Sequence, residues 1–318
     1  MSKKILLSGV KPTGRPHIGN YFGAMKQYVD LLRSSNYHCY FMIADYHALN
    51  FIQNAEEMKN NIIDLAIDYI AIGLDPEEST IFKQSDIQAH TELAWIFDTI
   101  TTMPYLMRAH AYKDAEAKNK EISVGTFNYP MLMSADILLY DADTVPVGQD
   151  QKQHVEYARD TAQKFNNIFG ETFKLPEPMI MKEVAIVPGT DGQKMSKSYN
   201  NTISLFAERD EIIKSVMSIV TDSSGELPVN VYNIHKLFRN ENELKNIYEE
   251  NKGKYKILKE TLIEDIDNFI KPIREKRESL VENRSKIAEI LEKGGKSAKK
   301  VAEKKMEIVR KMVGVAIA

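Results

Sequence analysis

The sequence predicts an α/β fold: a Rossmann-like parallel sheet followed by an all-α region. Two observations carry this. In the first half of the chain, short apolar or β-branched runs alternate with stretches of helical periodicity, which implies a parallel sheet with right-handed crossovers. From about residue 206 onward the strand signals stop and only helical patterns with charged faces remain.

The elements follow in order. Residues 5–10 read as a first strand. Residues 12–23 form a turn with Pro12, Thr13 and three glycines. The turn leads into a helix over 19–34, with Tyr21, Met25, Tyr28, Val29 and Leu32 on one face. Glycine lets backbone approach a ligand, and a helix N-terminus offers free N–H groups to anions. The turn is therefore a phosphate-site candidate, although neither common phosphate-loop pattern occurs. A capped βα turn explains the same residues equally well on their own. Residues 38–44 form a continuous apolar run, as in a buried parallel strand. A helix over 56–72 ends at Gly73, with Pro76 beyond. Residues 79–84 are a third strand and 89–99 a helix. In such sheets ligands bind at the carboxyl ends of strands, where the 12–23 turn and Asp45-Tyr46-His47 both fall.

Residues 100–128 read as a polar loop between helical pieces. Residues 129–140 are helical and 144–147 a short strand. Gly148 opens a helix through 165, whose polar face carries Gln151 and His154. The last strand is expected over 180–187, followed by a Gly-rich turn and Lys194-Met195-Ser196-Lys197-Ser198. Helices follow over 211–219, 231–238, 241–250 and 255–292. A break at Gly294-Gly295 then precedes a basic helix. Its lysines read as a solvated face more readily than as nucleic-acid contacts.

Composition bounds the function. With 318 residues, two domains are possible. The net charge of −3 excludes global electrostatic nucleic-acid binding, so any such contact needs a local basic face. Cys39 is the only cysteine. That excludes an internal disulfide and cysteine-based metal sites, and it suits a reducing cytoplasm. No signal peptide or membrane span is expected.

Two stretches then act together. His17-Ile18-Gly19-Asn20 resembles the HIGH motif of class I aminoacyl-tRNA synthetases, and residues 194–198 match that family's KMSKS motif letter for letter. Residues 129–140, 145–154 and 215–223 are similar to the tryptophanyl-tRNA synthetases, and the likeness runs through nearly the whole chain. It implies ATP-dependent activation of L-tryptophan and transfer to tRNA(Trp), by a cytoplasmic homodimer with no membrane association. It also implies a catalytic domain over 1–198 with an insertion near 100–143, an anticodon-binding helical domain over 199–292, and a C-terminal basic helix over 293–318 packing back on the catalytic domain.

The resemblance assigns roles by position. His17 and Asn20 donate to phosphate oxygens. Lys194 and Lys197 follow charge onto the departing pyrophosphate, and Lys113 is a weaker third cation. ATP also meets Lys11, Thr13, Gly14, Gly19, Gly148, Asp150, Met195 and Ser196. Mg2+ accompanies ATP, held by phosphates and water, and no protein metal site is expected. Leu7 and Met133 pack on the indole ring beside Gly9. Tyr129 and Gln151 bind the ammonium group, and Asp136 accepts the indole N–H, which only donates. His47 fits a substrate neighbour and a core histidine equally. Because the nucleophile is already ionised, catalysis rests on positioning and charge stabilisation.

Two positions depart from the family. Asn20 replaces the second His of HIGH, and Lys11 stands where many relatives have Gln; a cation there can meet the substrate carboxylate or the α-phosphate. A tyrosyl-tRNA synthetase is the near alternative, disfavoured by Leu7 where a phenol acceptor is expected. A small nucleotidylyltransferase or a non-catalytic synthetase-like protein are the remote ones.

Overall fold

Among the described residues, five parallel strands lie in the order β3-β2-β1-β4-β5: β1 (Lys4–Val10), β2 (Tyr37–Ile43), β3 (Ser79–Lys83), β4 (Thr144–Val147) and β5 (Glu177–Ile180). The computed structural model describes residues 3–117, 121–180, 187–221 and 227–317, and only the backbone of Ala111, Ala115 and Asp150. The chain steps outward from β1 to β3, then returns to place β4 on the other side of β1. The strand order therefore reverses between β1 and β4, and a crevice opens there at their carboxyl ends.

Both faces of the sheet are covered, so neighbouring residues on one strand serve different cores. Leu6 and Phe41 are buried in one, and Leu7 and Met42 in the other. Burying each of these side chains stabilises the fold by roughly 1.5–3 kcal/mol. The first core also takes in Ile203, Leu205, Ile212, Ile234, Leu262 and Ile266. The C-terminal helices thus pack directly on the sheet's helical layer. Arg277, on the helix Tyr255–Val281, donates to Asp68 on the helix Ala55–Ala71 at 2.7 Å. Burial raises the Asp68 carboxyl to about 6, against the opposing pull of Arg277.

Most expected elements fall within a few residues of their places, and β4 spans the residues expected. The polar segment carries short helices, Met103–Leu106, His110–Ala117 and Val124–Phe127. Three expectations need correction or remain outside the description. The last strand among the described residues is Glu177–Ile180; the strand expected over 180–187 falls almost wholly on residues 181–186, which lie outside the described residues. Pro176 and Pro178 masked this strand, but it is an edge strand, where a missing N–H is tolerated. His154 is buried against Tyr129 and does not lie on an exposed polar face.

The third correction concerns the C-terminus. The helix Arg284–Met312 runs unbroken through Gly294-Gly295, and the interruption comes earlier, at Glu282-Asn283. The two glycines serve packing. A Cβ on Gly294 would stand 1.9 Å from the Ile81 carbonyl oxygen of β3, so only glycine lets the helix lie this close to the strand.

Candidate active site

The turn after β1 begins the site. His17 caps the helical turn Ile18–Asn20 in a reciprocal pair. Its Nδ1 accepts from the Asn20 amide at 3.3 Å, and Asn20 Oδ1 accepts from the His17 amide at 3.1 Å. Burial, aided by the Lys197 charge, lowers the His17 pKa to about 4, so the ring is neutral near pH 7. With Nδ1 accepting, the proton sits on Nε2, and with its Oδ1 accepting, Asn20 has its NH2 available as a donor. Both motif residues can therefore donate. Gly19 is required between them, because a Cβ there would come 2.9 Å from His17 Nδ1.

The second motif closes over this turn. Lys197 Nζ donates to the Thr13 carbonyl at 3.1 Å. Asn201, almost fully buried, staples the loop. Its Oδ1 accepts from the Ser196 amide, and its Nδ2 donates to the Lys194 carbonyl and the Asp191 carboxylate. A short antiparallel clasp then ties the chain beyond the loop to the first motif: Ile18 N donates to Ile203 O and Leu205 N to Pro16 O, around the His17–Ser204 bridge.

Below the turn lies Asp136, 2% exposed on the helix Tyr129–Leu138. Its Oδ1 accepts from Gln84 Nε2 at 2.7 Å and His90 Nδ1 at 2.6 Å, and its Oδ2 accepts from His47 Nε2 at 2.9 Å. His90 Nε2 is 2.9 Å from the Tyr140 hydroxyl. Burial alone would raise the Asp136 pKa, but the two imidazoles outweigh it and hold the carboxyl at about 2. Asp136 is thus both a satisfied buried charge and a cavity-facing acceptor. His47 Nδ1 is buried without a partner among the described residues. The His47 ring packs tilted against that of Tyr129, with centroids 4.3 Å apart.

These parts line one cavity of about 700 Å3 in the crevice between β1 and β4. It gathers Leu7, Gly9, Lys11, Thr13, Gly14, His17, Gly19, Asn20, His47, Tyr129, Met133, Asp136, Gly148, Gln151, Lys194, Ser196 and Lys197. Three expected residues are not among the cavity's described lining. Lys113, on its own helix, does not line the cavity. Met195 is buried in the core, its amide donating to Val187 O. The Asp150 side chain lies outside the described residues. Gln84, His90 and Asn201 escaped the sequence reading. Gln84 follows the end of β3, the same kind of position that singled out His47. His90 shares the apolar helix face of Leu93 and Phe97, where a polar residue is a signal in itself.

A parallel sheet with two donor-bearing motifs at its switch point defines a class I aminoacyl-tRNA synthetase, and the comparisons agree. The family model for tRNA synthetases class I (W and Y) matches residues 2–278. A Tryptophan--tRNA ligase of Fusobacterium nucleatum is 49% identical over 318 residues, covering 97% of each chain. The crystal structure of a Campylobacter jejuni tryptophanyl-tRNA synthetase complexed with ADP and tryptophan superposes with a TM-score of 0.90 at 43% identity, covering 98% of this chain and 99% of that one. A Mycoplasma pneumoniae tryptophanyl-tRNA synthetase gives 0.84 at 29% identity, with 98% of each chain covered. The chain belongs to the tryptophanyl-tRNA synthetase family. Among the described residues no helix is long and apolar enough to cross a membrane.

Proposed function

We propose that this chain activates L-tryptophan with ATP, releasing pyrophosphate, and transfers the tryptophanyl group to the 3′ end of tRNA(Trp), as a cytoplasmic homodimer. The observation that carries this reading is the single cavity joining His17, Asn20 and Lys197 to the buried Asp136 carboxylate.

A tryptophan carboxylate oxygen attacks the α-phosphorus, and pyrophosphate leaves with the bonding electron pair. His17 Nε2–H and the Asn20 amide donate to phosphate oxygens. Lys194 and Lys197 offset the charge growing on the leaving group. Asp136 accepts the indole N–H, and Leu7 and Met133 flank the ring. Tyr129 and Gln151 receive the ammonium. Gly148 and Asp150 meet the ribose, with the Met195 backbone by the adenine. Lys113 keeps only a secondary role.

Mg2+ accompanies the phosphates of ATP. Asp136 is the only carboxylate lining the cavity among the described residues, and Gln84, His90 and His47 take three of its roughly four acceptor directions. That donor set fits an ion held by phosphates and water. The helices over 199–292 bind the anticodon.

Amino-acid-dependent ATP–pyrophosphate exchange tests the proposal with tryptophan and tyrosine side by side. Exchange with tryptophan alone is expected. Exchange with tyrosine would keep the chemistry but remove Asp136 and Leu7 as determinants of specificity.

A further inference from the structure

A second cleft lies apart from the active-site cavity and shares none of its described lining residues. It encloses about 780 Å3 between the helix Ala55–Ala71 and the helix Arg284–Met312. The end of β3 and residues 49–54 complete its walls. Ile52, Met58, Ile62, Ile63 and Leu291 make the lining largely apolar. An apolar concavity of this size is what a small-molecule ligand fills.

The charges around the cleft do not cancel. Its charged lining is Lys59, Lys83, Lys296 and Lys299 against Asp86 and Glu292. Lys83 pairs with Asp86, and Lys296 pairs with Glu292 at 2.6 Å. Lys59 and Lys299, one on each helix, have no carboxylate partner among the described residues. Two unpaired ammonium groups beside an apolar lining complement a ligand with an apolar body and an anionic head. A neutral or cationic ligand of the same shape would use the lining but not the charges.

Two of these walls also support the indole acceptor from behind. Lys83 and Asp86 flank Gln84, which donates to Asp136 at 2.7 Å and accepts from the amides of Tyr46 and His47 at 3.1 and 3.4 Å. The Ile52 amide donates to the Ala48 carbonyl at 2.9 Å, next in sequence to His47, whose ring donates to Asp136. A ligand pressed against residues 49–52 and 83–86 therefore bears on two of the three groups that hold Asp136.

We propose that this cleft is a second ligand site, for a small amphipathic carboxylate, and that its occupancy changes the affinity for tryptophan. The coupling rests on the tryptophan reading above; the site itself does not. Coupling between two ligands is reciprocal, so whatever the carboxylate does to tryptophan, tryptophan does to it.

Calorimetry with decanoate and decan-1-ol, which share an apolar chain and differ in the head, tests the site on the full native chain. Decanoate is expected to bind more tightly than the alcohol by about threefold or more. The double variant Lys59→Met/Lys299→Met should remove that preference and leave decan-1-ol within about twofold. Ala288→Trp, which places a bulky ring on the exposed wall, should weaken both probes about tenfold or more. Equal binding of the two probes by the native chain, or decanoate binding unchanged in both variants, would overturn the site. So would an assembly that Ala288→Trp splits in sedimentation while decanoate does not bind, because a second copy of the chain would then fill the cleft. Tryptophan affinity with and without saturating decanoate reads the coupling. A change of about threefold or more is expected in the native chain and none in Ala288→Trp. An unchanged affinity in the native chain would overturn the coupling. Failure of the native chain to bind tryptophan at all would bring down the tryptophan reading and the coupling, while the decanoate comparison would still decide the site.

Discussion

Asp136 has two carboxylate oxygens and about four acceptor directions, of which Gln84, His90 and His47 use three. One direction on Oδ2 remains for an indole N–H. Asp136→Asn, which keeps the shape but loses the charge, is therefore expected to raise the tryptophan KM about tenfold or more and to relax the rejection of phenylalanine. Unchanged selectivity in pyrophosphate exchange would remove Asp136 from the pocket. His17 offers a prediction in pH. Its pKa falls from 6.5 to about 4 on folding, so the folded state resists the proton. The associated stability is complete above about pH 6.5 and is lost as the pH falls toward 4. An NMR titration of the ring should give a midpoint below about 5. A midpoint near 6.5 would place His17 in solvent and undo the tautomer assignment. The site residues that touch the cavity were largely readable from the sequence because two motifs anchor them. Gln84 and His90 were not, because they act through Asp136 and belong to no motif.

At the level of elements, helix and strand positions followed periodicity wherever packing agreed with it. They failed where tertiary contact overruled local signals. Pro176 and Pro178 speak against a strand, yet β5 forms because an edge can spare the missing N–H groups. Gly294 and Gly295 speak for a helix end, yet the helix continues because its close approach to β3 excludes any side chain at Gly294. Gly294→Ala is thus expected to destabilise the protein despite alanine's better helix propensity, by about 1–3 kcal/mol from overpacking. Thermal unfolding checks this. An unchanged or higher Tm would mean that the helix shifts at no cost.

For the molecule as a whole, the strand order β3-β2-β1-β4-β5 and the shared core were beyond reach of periodicity, which says nothing about which layers meet. The loss of strand signals near residue 206 and the chain's length suggested two domains. Yet Ile212, Ile234 and Leu262 are buried in the same core as Leu6 and Phe41. A chain ending at residue 200 would expose the inner face of that core. It is expected to be insoluble or to lack a cooperative unfolding transition by circular dichroism. A sharp, reversible melt from that fragment would show that the sheet domain folds without its helices.

The clasp between Pro16–Ile18 and Ile203–Leu205 bears on how such a chain can be recombined. A chimera that takes its helical half from a relative has a natural crossover after Phe206, where the native seam travels with the catalytic half. A crossover at residue 198 would instead graft a foreign strand onto the backbone that aims His17. The seam, rather than the boundary expected at residue 198, marks where this enzyme can be cut and rejoined.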